Sequence, residues 1–282
     1  MDVDFPFVLS VAVLITGAFW ACELAVLRPQ RLKNVTMLKS KGSSEANIQK
    51  ALREPTVIEY AKSFFPVLLL VLVLRSFVAE PYQIPSESMV PTFEVGDFIL
   101  VNKYQYGLRL PVLGSKIIEM GEPERGDIMV FVPPHDPRYF IKRVIGLPGD
   151  SIRYENKALY INGVRASYEL VDQFEELINY SVEIPVKVYK EKIGDRSYST
   201  YRYQFIEKPG LWVVPEGHYF VMGDNRGKSE DSRAWRTDAG PTPFVPDENV
   251  VGKAIAIWMH KKPGLEMPTF RRNAWLNNEY QG

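Results

Sequence analysis

Two stretches near the start of this chain have no polar side, and the rest is a succession of short β-rich segments. Phe5 to Leu27 is apolar but for Ser10, Thr16 and Glu23. At about 1.5 Å of rise per residue it spans roughly 35 Å, enough to cross a hydrocarbon core of about 30 Å. Phe64 to Ala79 is shorter, and extended back to Tyr60 it reaches about 30 Å by the same rise. Its run from Pro66 to Leu74 has no face to show to water, which favours a membrane helix over a buried core helix. Arg75, near one end, can snorkel to the headgroups. The first stretch reads as a retained helix: Asp2 and Asp4 stand where a cleavable leader carries basic residues, and no small-x-small site follows. The expected membrane anchor therefore covers residues 1–79, with helices over 5–27 and 63–79 and a polar segment over 28–62.

Downstream, β-rich runs recur at Phe98–Val101, Ile128–Val132, Tyr139–Ile145, Leu159–Ile161, Val186–Tyr189, Tyr201–Phe205, Trp212–Val214, Tyr219–Met222 and Val250–Trp258. Gly96-Asp97, Gly126-Asp127, Asn162-Gly163 and Gly194-Asp195 punctuate them. Helical spacing shows only around Ser167 to Ile178. The expectation is a mainly β, antiparallel domain outside the membrane, anchored by two N-terminal transmembrane helices. Residues 80–153 and 210–282 make its core. The intervening 154–209, richer in charge and Tyr, form a smaller inserted β subdomain.

Charge sharpens the topology. The chain balances 34 Lys and Arg against 34 Asp and Glu, with no basic stripe, so nucleic acid is not an expected partner. The segment between the helices is locally basic, with Arg28, Arg31, Lys33, Lys39, Lys41, Lys50, Arg53 and Lys62 against Glu45, Glu54 and Glu59. The positive-inside rule puts it in the cytoplasm and the domain after Ala79 across the membrane. The single cysteine, Cys22, excludes an internal disulfide and a cysteine-based metal site, and His135, His218 and His260 lack metal-motif spacing. No metal and no cofactor is expected.

Three polar words carry the candidate chemistry. In Ile84-Pro85-Ser86-Glu87-Ser88-Met89-Val90-Pro91-Thr92, prolines bracket two serines and hold the loop stiff and non-helical. A serine hydroxyl needs a base to become a nucleophile. There is no Gly-x-Ser-x-Gly elbow, and no histidine lies in a segment built around it, which leaves a histidine base unsupported but open. In Tyr139 to Asp150, Pro148-Gly149 suits a type II turn, so a strand precedes it. Period two then places Phe140, Lys142 and Val144 on one face and Arg143 on the other. A lysine there reads as a snorkelling surface residue or as a buried base, whose pKa its apolar neighbours would lower from about 10.4. The third word, Gly223 to Arg233, follows an apolar strand. Its Ser229 can orient an amine, and its Asp231 and Arg233 can pair.

Together and in this order, behind a two-helix anchor, these words resemble those of the bacterial signal peptidase I (leader peptidase) family. They are Pro-Ser-x-Ser-Met-x-Pro-Thr, Lys-Arg-x-x-Gly-x-Pro-Gly-Asp and Gly-Asp-Asn-Arg-x-x-Ser-x-Asp-Ser-Arg. The resemblance implies a membrane-bound serine endopeptidase with a Ser–Lys dyad. Ser88 attacks the scissile carbonyl and Lys142 is the general base. The Ser88 N–H and the Ser86 hydroxyl form the oxyanion hole. Ser229 positions the Lys142 amine, and Asp231 with Arg233 holds the shape of the site. Tyr82, Ile84, Pro85, Met89, Phe93 and Ile141 fall where the family lines small pockets for the substrate residues at −1 and −3. The implied substrates are exported preproteins, cut through an acyl-enzyme after an Ala-x-Ala-like signal peptide. The implied place is the bacterial inner membrane, multi-pass, with the catalytic domain on the periplasmic side and the secretion translocon nearby. Gly227-Lys228 departs from the Asp-Asn of many relatives, and the cysteine pair that some relatives carry in the soluble domain is absent. A Ser–Lys pair also serves repressor-type self-cleaving proteases, which are cytoplasmic and need no membrane hairpin.

Overall fold

A computed structural model describes residues 5–75, 79–109, 116–118, 120–178, 182–262, 264 and 266–276. Asp2 and Asp4, and residues 76–78 of the expected second helix, lie outside the described residues. The chain divides into two compact units, Met1–Val78 with Leu110–Gly114, and Ala79–Arg109 with Ser115–Gly282.

The first unit is helical. Helix α1 (Phe5–Cys22) runs through a π-helical stretch, Glu23–Leu27, into α2 (Arg28–Ser40). The sequence reading ended this helix at Leu27. It continues because Arg28 to Ser40 is rich in helix formers, and the wider π turn comes just before Pro29, which has no N–H to give to the preceding turn. Helices α3 (Glu45–Leu52) and α4 (Thr56–Val73) follow. The segment read as a polar connector is therefore largely helical, and three of its charges, Arg31, Glu54 and Lys62, join one ion-pair chain with Glu23. Glu23, buried at the π stretch, bonds Arg31, Arg31 reaches Glu54 at 3.6 Å, and Glu54 meets Lys62 at 2.8 Å. Trp20 of α1 meets Phe65 of α4 edge-on at 5.2 Å. Leu14, Ile15, Val67 and Leu70 point outward, each more than half exposed. Phe7–Ser40 and Thr56–Val73 are long and apolar enough to cross a membrane.

The second unit is β. In chain order its strands are β1 (Ala79–Gln83), β2 (Asp97–Asn102), β3 (Leu108–Arg109), β4 (Lys116–Ile118), β5 (Ile128–Phe131), β6 (Phe140–Gly146), β7 (Ser151–Glu155), β8 (Ala158–Ile161) and β9 (Val164–Arg165). They continue with β10 (Ser167–Ile178), β11 (Val182–Ile193), β12 (Arg196–Tyr203), β13 (Gly210–Val213), β14 (His218–Met222), β15 (Arg236–Thr237), β16 (Gly240–Pro241), β17 (Val245–Pro246), β18 (Val250–His260) and β19 (Ala274–Trp275). The main sheet runs β1-β2-β18-β5-β6-β14-β17, with β19 on β18. Smaller sheets are β10-β11-β12, β13-β7-β8-β9, β15-β16 and β3-β4, and the strand pairs are antiparallel. Register shifts along β18 bend it, so that it pairs with β2 on one side and β5 on the other.

Two local readings change. Ala79 opens strand β1 instead of closing a helix. Ser167 to Ile178, where helical spacing showed, is strand β10, paired with β11 along its length around one irregularity between Leu170 and Asp172. A dozen residues of local spacing do not outweigh a full cross-strand ladder.

Strand β6 is the centre of the packing. Ile145 belongs to a core with Tyr154, Leu159, Tyr198 and Phe220, while Val144 belongs to a second with Met129, Phe131 and Trp235. Ile141 packs against a third, made of Ile84, Met89, Phe93, Ile99 and Val130. The strand carrying Lys142 is thus covered on both faces, which takes that lysine out of water.

Candidate active site

Ser88 lies in a single 3-10 turn, Glu87–Met89. Ser86 before the turn is extended (φ −137°, ψ 162°), and so is Val90 after it (φ −65°, ψ 137°), as its following proline requires. Strand pairing does not hold such a turn, so its place depends on tethers. Ile84 N–H donates to Asp97 O at 2.8 Å and Gly96 N–H donates to Ile84 O at 2.9 Å. Asn225 clamps the turn itself: its N–H donates to Ser88 O at 3.1 Å and its Nδ2 to Glu87 O at 3.1 Å. Gly223 lets that loop close in, since a Cβ there would collide with Ser88 O and Ser229 Oγ.

Lys142 reaches Ser88 from β6. It sits in register opposite Met129 of β5 and is 4 % exposed. Its Nζ donates to Ser88 Oγ at 2.8 Å and to Ile141 O at 3.0 Å. Burial brings its pKa down to about 8, against the pull of the carboxylates of Asp231, Glu230 and Asp224. The surface-lysine reading of this position is therefore replaced by a buried amine on a buried hydroxyl. Ser86 Oγ lies 3.4 Å from Ser88 Oγ. Among the described residues no histidine bonds Ser88. His135 packs against Phe140 and Trp235, His218 Nδ1 meets Glu216 O, and His260 Nδ1 meets Asp97 at 2.7 Å.

The third word packs against the Ser88 turn. Asp231 takes a bidentate pair from Arg233, at 2.8 Å on both oxygens, and a bond from Gly223 N–H at 3.0 Å. Burial works to raise the Asp231 carboxyl, but Arg233 and these bonds outweigh it and keep the group below its ordinary range. Arg233 also donates to Arg226 O at 2.8 Å and Glu207 at 2.9 Å, closing the loop on itself. Ser229 lies beside Gly223, and its hydroxyl is not among the bonds of the Lys142 amine.

Two buried ionic networks were not read from the sequence. Arg143, on the opposite face of β6 from Lys142, is buried, and both Nε and Nη2 bond Asp224, at 2.8 and 2.6 Å. Thr92 Oγ1 donates to the same carboxylate at 2.6 Å, so the serine word, the lysine word and the third word share one group. Glu191 of β11 is fully buried. It accepts two bonds from Arg226 at 2.8 and 2.6 Å, one from Arg202 at 2.8 Å and one from Tyr198 at 2.7 Å. Thr92, Arg143, Asp224 and Arg226 stand inside the quoted words, which was their available signal. Glu191 lies outside them and had none.

Ser88 and Lys142 line a groove of about 680 Å³. Tyr82, Ile84, Pro85 and Ile141 line it, as does Ser86. Met89 and Phe93 do not: both are wholly buried in the core beneath. Tyr139 and Phe140 add aromatic wall, and Arg138, Lys228 and Glu230 add charge, none of which the sequence reading assigned to a groove.

The family model described as signal peptidase, peptidase S26, matches residues 57–259. A signal peptidase I from Pseudomonas aeruginosa is 46% identical over 272 residues, covering 92% of this chain and 93% of the relative. One from Pseudomonas fluorescens is 45% identical over 287 residues, covering 96% and 98%. A crystal structure of a signal peptidase I from Enterococcus faecalis V583, 31% identical, covers 47% of this chain and 96% of its own, with a TM-score of 0.28.

Proposed function

Because the chain belongs to the signal peptidase I family, peptidase S26, serine peptidases that act on preproteins, we propose that it cuts signal peptides from exported preproteins with a Ser88–Lys142 dyad. The observation that carries this reading is the 2.8 Å contact between a buried amine of lowered pKa and a serine hydroxyl, both lining one groove. As the hydroxyl attacks the scissile carbonyl, neutral Lys142 takes its proton along that contact. The developing oxyanion is held by the Ser88 N–H and the Ser86 hydroxyl. Collapse expels the new amine with the proton from Lys142 and leaves an ester on Ser88. Lys142 then deprotonates a water, which hydrolyses the ester and releases the signal peptide.

Specificity follows from the groove's apolar wall. We assign Tyr82, Ile84, Pro85 and Ile141, which line the groove, to the seats for small side chains at −1 and −3 of Ala-x-Ala-like sites. We assign the two apolar helices to a hairpin in the bacterial inner membrane, with the basic connector cytoplasmic and the β unit periplasmic, near the translocon. Incubating the full-length chain in detergent with one preprotein, and reading the product ends by mass spectrometry, tests the function. Cleavage after a small-x-small site is expected, and cleavage elsewhere or none sinks the reading.

The pH dependence has a defined sign. Lys142 works as the neutral amine, so kcat/KM rises with pH through an apparent pKa near 8 and levels above it. A flat profile between pH 6 and 10, with chemistry rate-limiting, excludes a lysine base. Ser86→Ala removes one of two oxyanion donors and is expected to lower kcat by about 10²-fold with KM little changed. A wild-type kcat would leave Ser86 outside the oxyanion hole.

A further inference from the structure

Gly227-Lys228, the pair that departs from the Asp-Asn of many signal peptidases, lies where the β10-β11-β12 sheet meets the nucleophile turn. A Cβ on Gly227 would stand 2.6 Å from a ring carbon of Tyr203 on β12, closer than real side-chain packing allows. Only glycine brings the backbone that near without displacing Tyr203. The approach delivers the Lys228 ammonium to two carboxylates at once. Glu176 of β10 receives it at 2.6 Å, and Glu87, the residue before Ser88, at 3.3 Å. Tyr203 completes the set: its hydroxyl donates to the other oxygen of Glu176 at 2.7 Å, and its ring centre lies 5.3 Å from the ammonium.

This cluster is part of the machinery that holds the turn. Lys228 N–H donates to Asn225 O at 3.2 Å, and Asn225 is the residue that clamps Ser88 O and Glu87 O. Backbone and amide bonds thus tie the Glu87-Ser88 peptide to the 223–233 loop, while the Lys228 ammonium ties the Glu87 side chain to β10. The same sheet also grips that loop through the bonds from Arg226 to Glu191 of β11 and through backbone bonds between Tyr201 of β12 and Asp224 and Arg226.

We propose that the β10-β11-β12 sheet is a positioning element for the nucleophile, and that Lys228 transmits its position to Ser88 by clamping Glu87 to Glu176. The inference rests on Ser88 as nucleophile and gives this part of the chain a task in the reaction. Lys228 is a positioning residue. It lines the groove beside Ser88 and Lys142 but bonds neither. The Glu87 end of the clamp is more than half exposed, so that ion pair adds little to global stability, and turnover and stability are read separately.

The test uses full-length purified protein, steady-state cleavage of one preprotein, and thermal unfolding of each variant. Lys228→Gln and Glu176→Gln are each expected to lower kcat about tenfold, as a small misplacement of a reacting atom does, with KM and Tm close to wild type. Lys228→Arg, which keeps the bridge, retains most of kcat, and the double Gln variant is no slower than either single one. An unchanged kcat in Lys228→Gln, a loss that tracks a fall in Tm, or independent multiplying losses in the double variant overturns the proposal. Ser88→Ala separates the two levels. If it is inactive while Lys228→Gln is normal, only the positioning role falls. If it is active, the dyad falls with it.

Discussion

Replacing Lys142 with Met is expected to leave a folded protein that cuts preproteins at least about 10⁴-fold more slowly, and Ser88→Ala is expected to match it. Both side chains are buried and each is the other's partner, so losing either removes the same proton transfer. The losses should not add: the double variant is expected to be no slower than the singles, because the residual rate then comes from binding and the oxyanion donors. Unfolding provides an independent check. The folded-state pKa of Lys142, about 8, lies below its ordinary 10.5, so between those values the unfolded chain holds more protons than the native one. Stability therefore rises with pH across that window, and below pH 8 the native state carries a disfavoured ammonium. Lys142→Met removes that group, so at pH 7 it should be at least as stable as wild type. A clearly less stable Lys142→Met protein, or one with substantial activity, contradicts the assignment.

The largest expected effect on stability lies away from the dyad, at Glu191. It is fully buried, and burial alone works to raise its carboxyl. Arg226 and Arg202 outweigh that and keep it ionised, below the ordinary carboxylate range. Glu191→Gln leaves Arg226, also buried, facing a neutral amide, with Arg202 beside it. Removing one partner from a buried ionic group costs about 3–5 kcal/mol. At about 2–4 °C per kcal/mol for a unit of this size, the melting temperature should fall by roughly 6–20 °C. Because Arg226 belongs to the loop that clamps the nucleophile turn, kcat should fall as well. Replacing Glu191, Arg226 and Arg202 together with Leu, Met and Leu should recover much of the stability and none of the turnover, since apolar packing replaces a buried ion pair well but does not shape the loop. A Glu191→Gln protein that melts with wild type would show that water reaches this cluster.

Much of this was legible along the chain because it depended on local chemistry. Proline bracketing predicted a stiff non-helical loop around Ser88; its extended flanks are there, but the serine itself sits in one 3-10 turn, short enough to fit between the two prolines. Alternation on β6 set Lys142 and Arg143 on opposite faces, and their partners differ accordingly, Ser88 for one and Asp224 for the other, although both faces are buried. Asp231 and Arg233 stand two residues apart and do pair. The misreadings share a cause. Ser167 to Ile178 had some helical spacing, but its partner β11 decides its state. Arg28 to Ser40 looked like a connector because it is polar, yet polar helix formers extend a helix that already has a nucleus. Met89 and Phe93 stand beside the nucleophile in sequence but bury in the core beneath the groove, because successive side chains around a tight turn point in different directions.

By itself, then, the sequence determined the class of the protein: two apolar helices, a β unit, a stiff serine turn, and a lysine on an apolar strand face. Each of these is a property of neighbours within a few residues, where spacing and rotamer direction carry the information. Tertiary structure alone decided that Ser88 and Lys142, 54 positions apart, share a 2.8 Å contact. It also decided that Asp224 joins the three words and that β10 and β11 reach the 223–233 loop through Glu176 and Glu191. Those contacts form only when strands distant in the chain are laid side by side, and their strength comes from the water that packing removes.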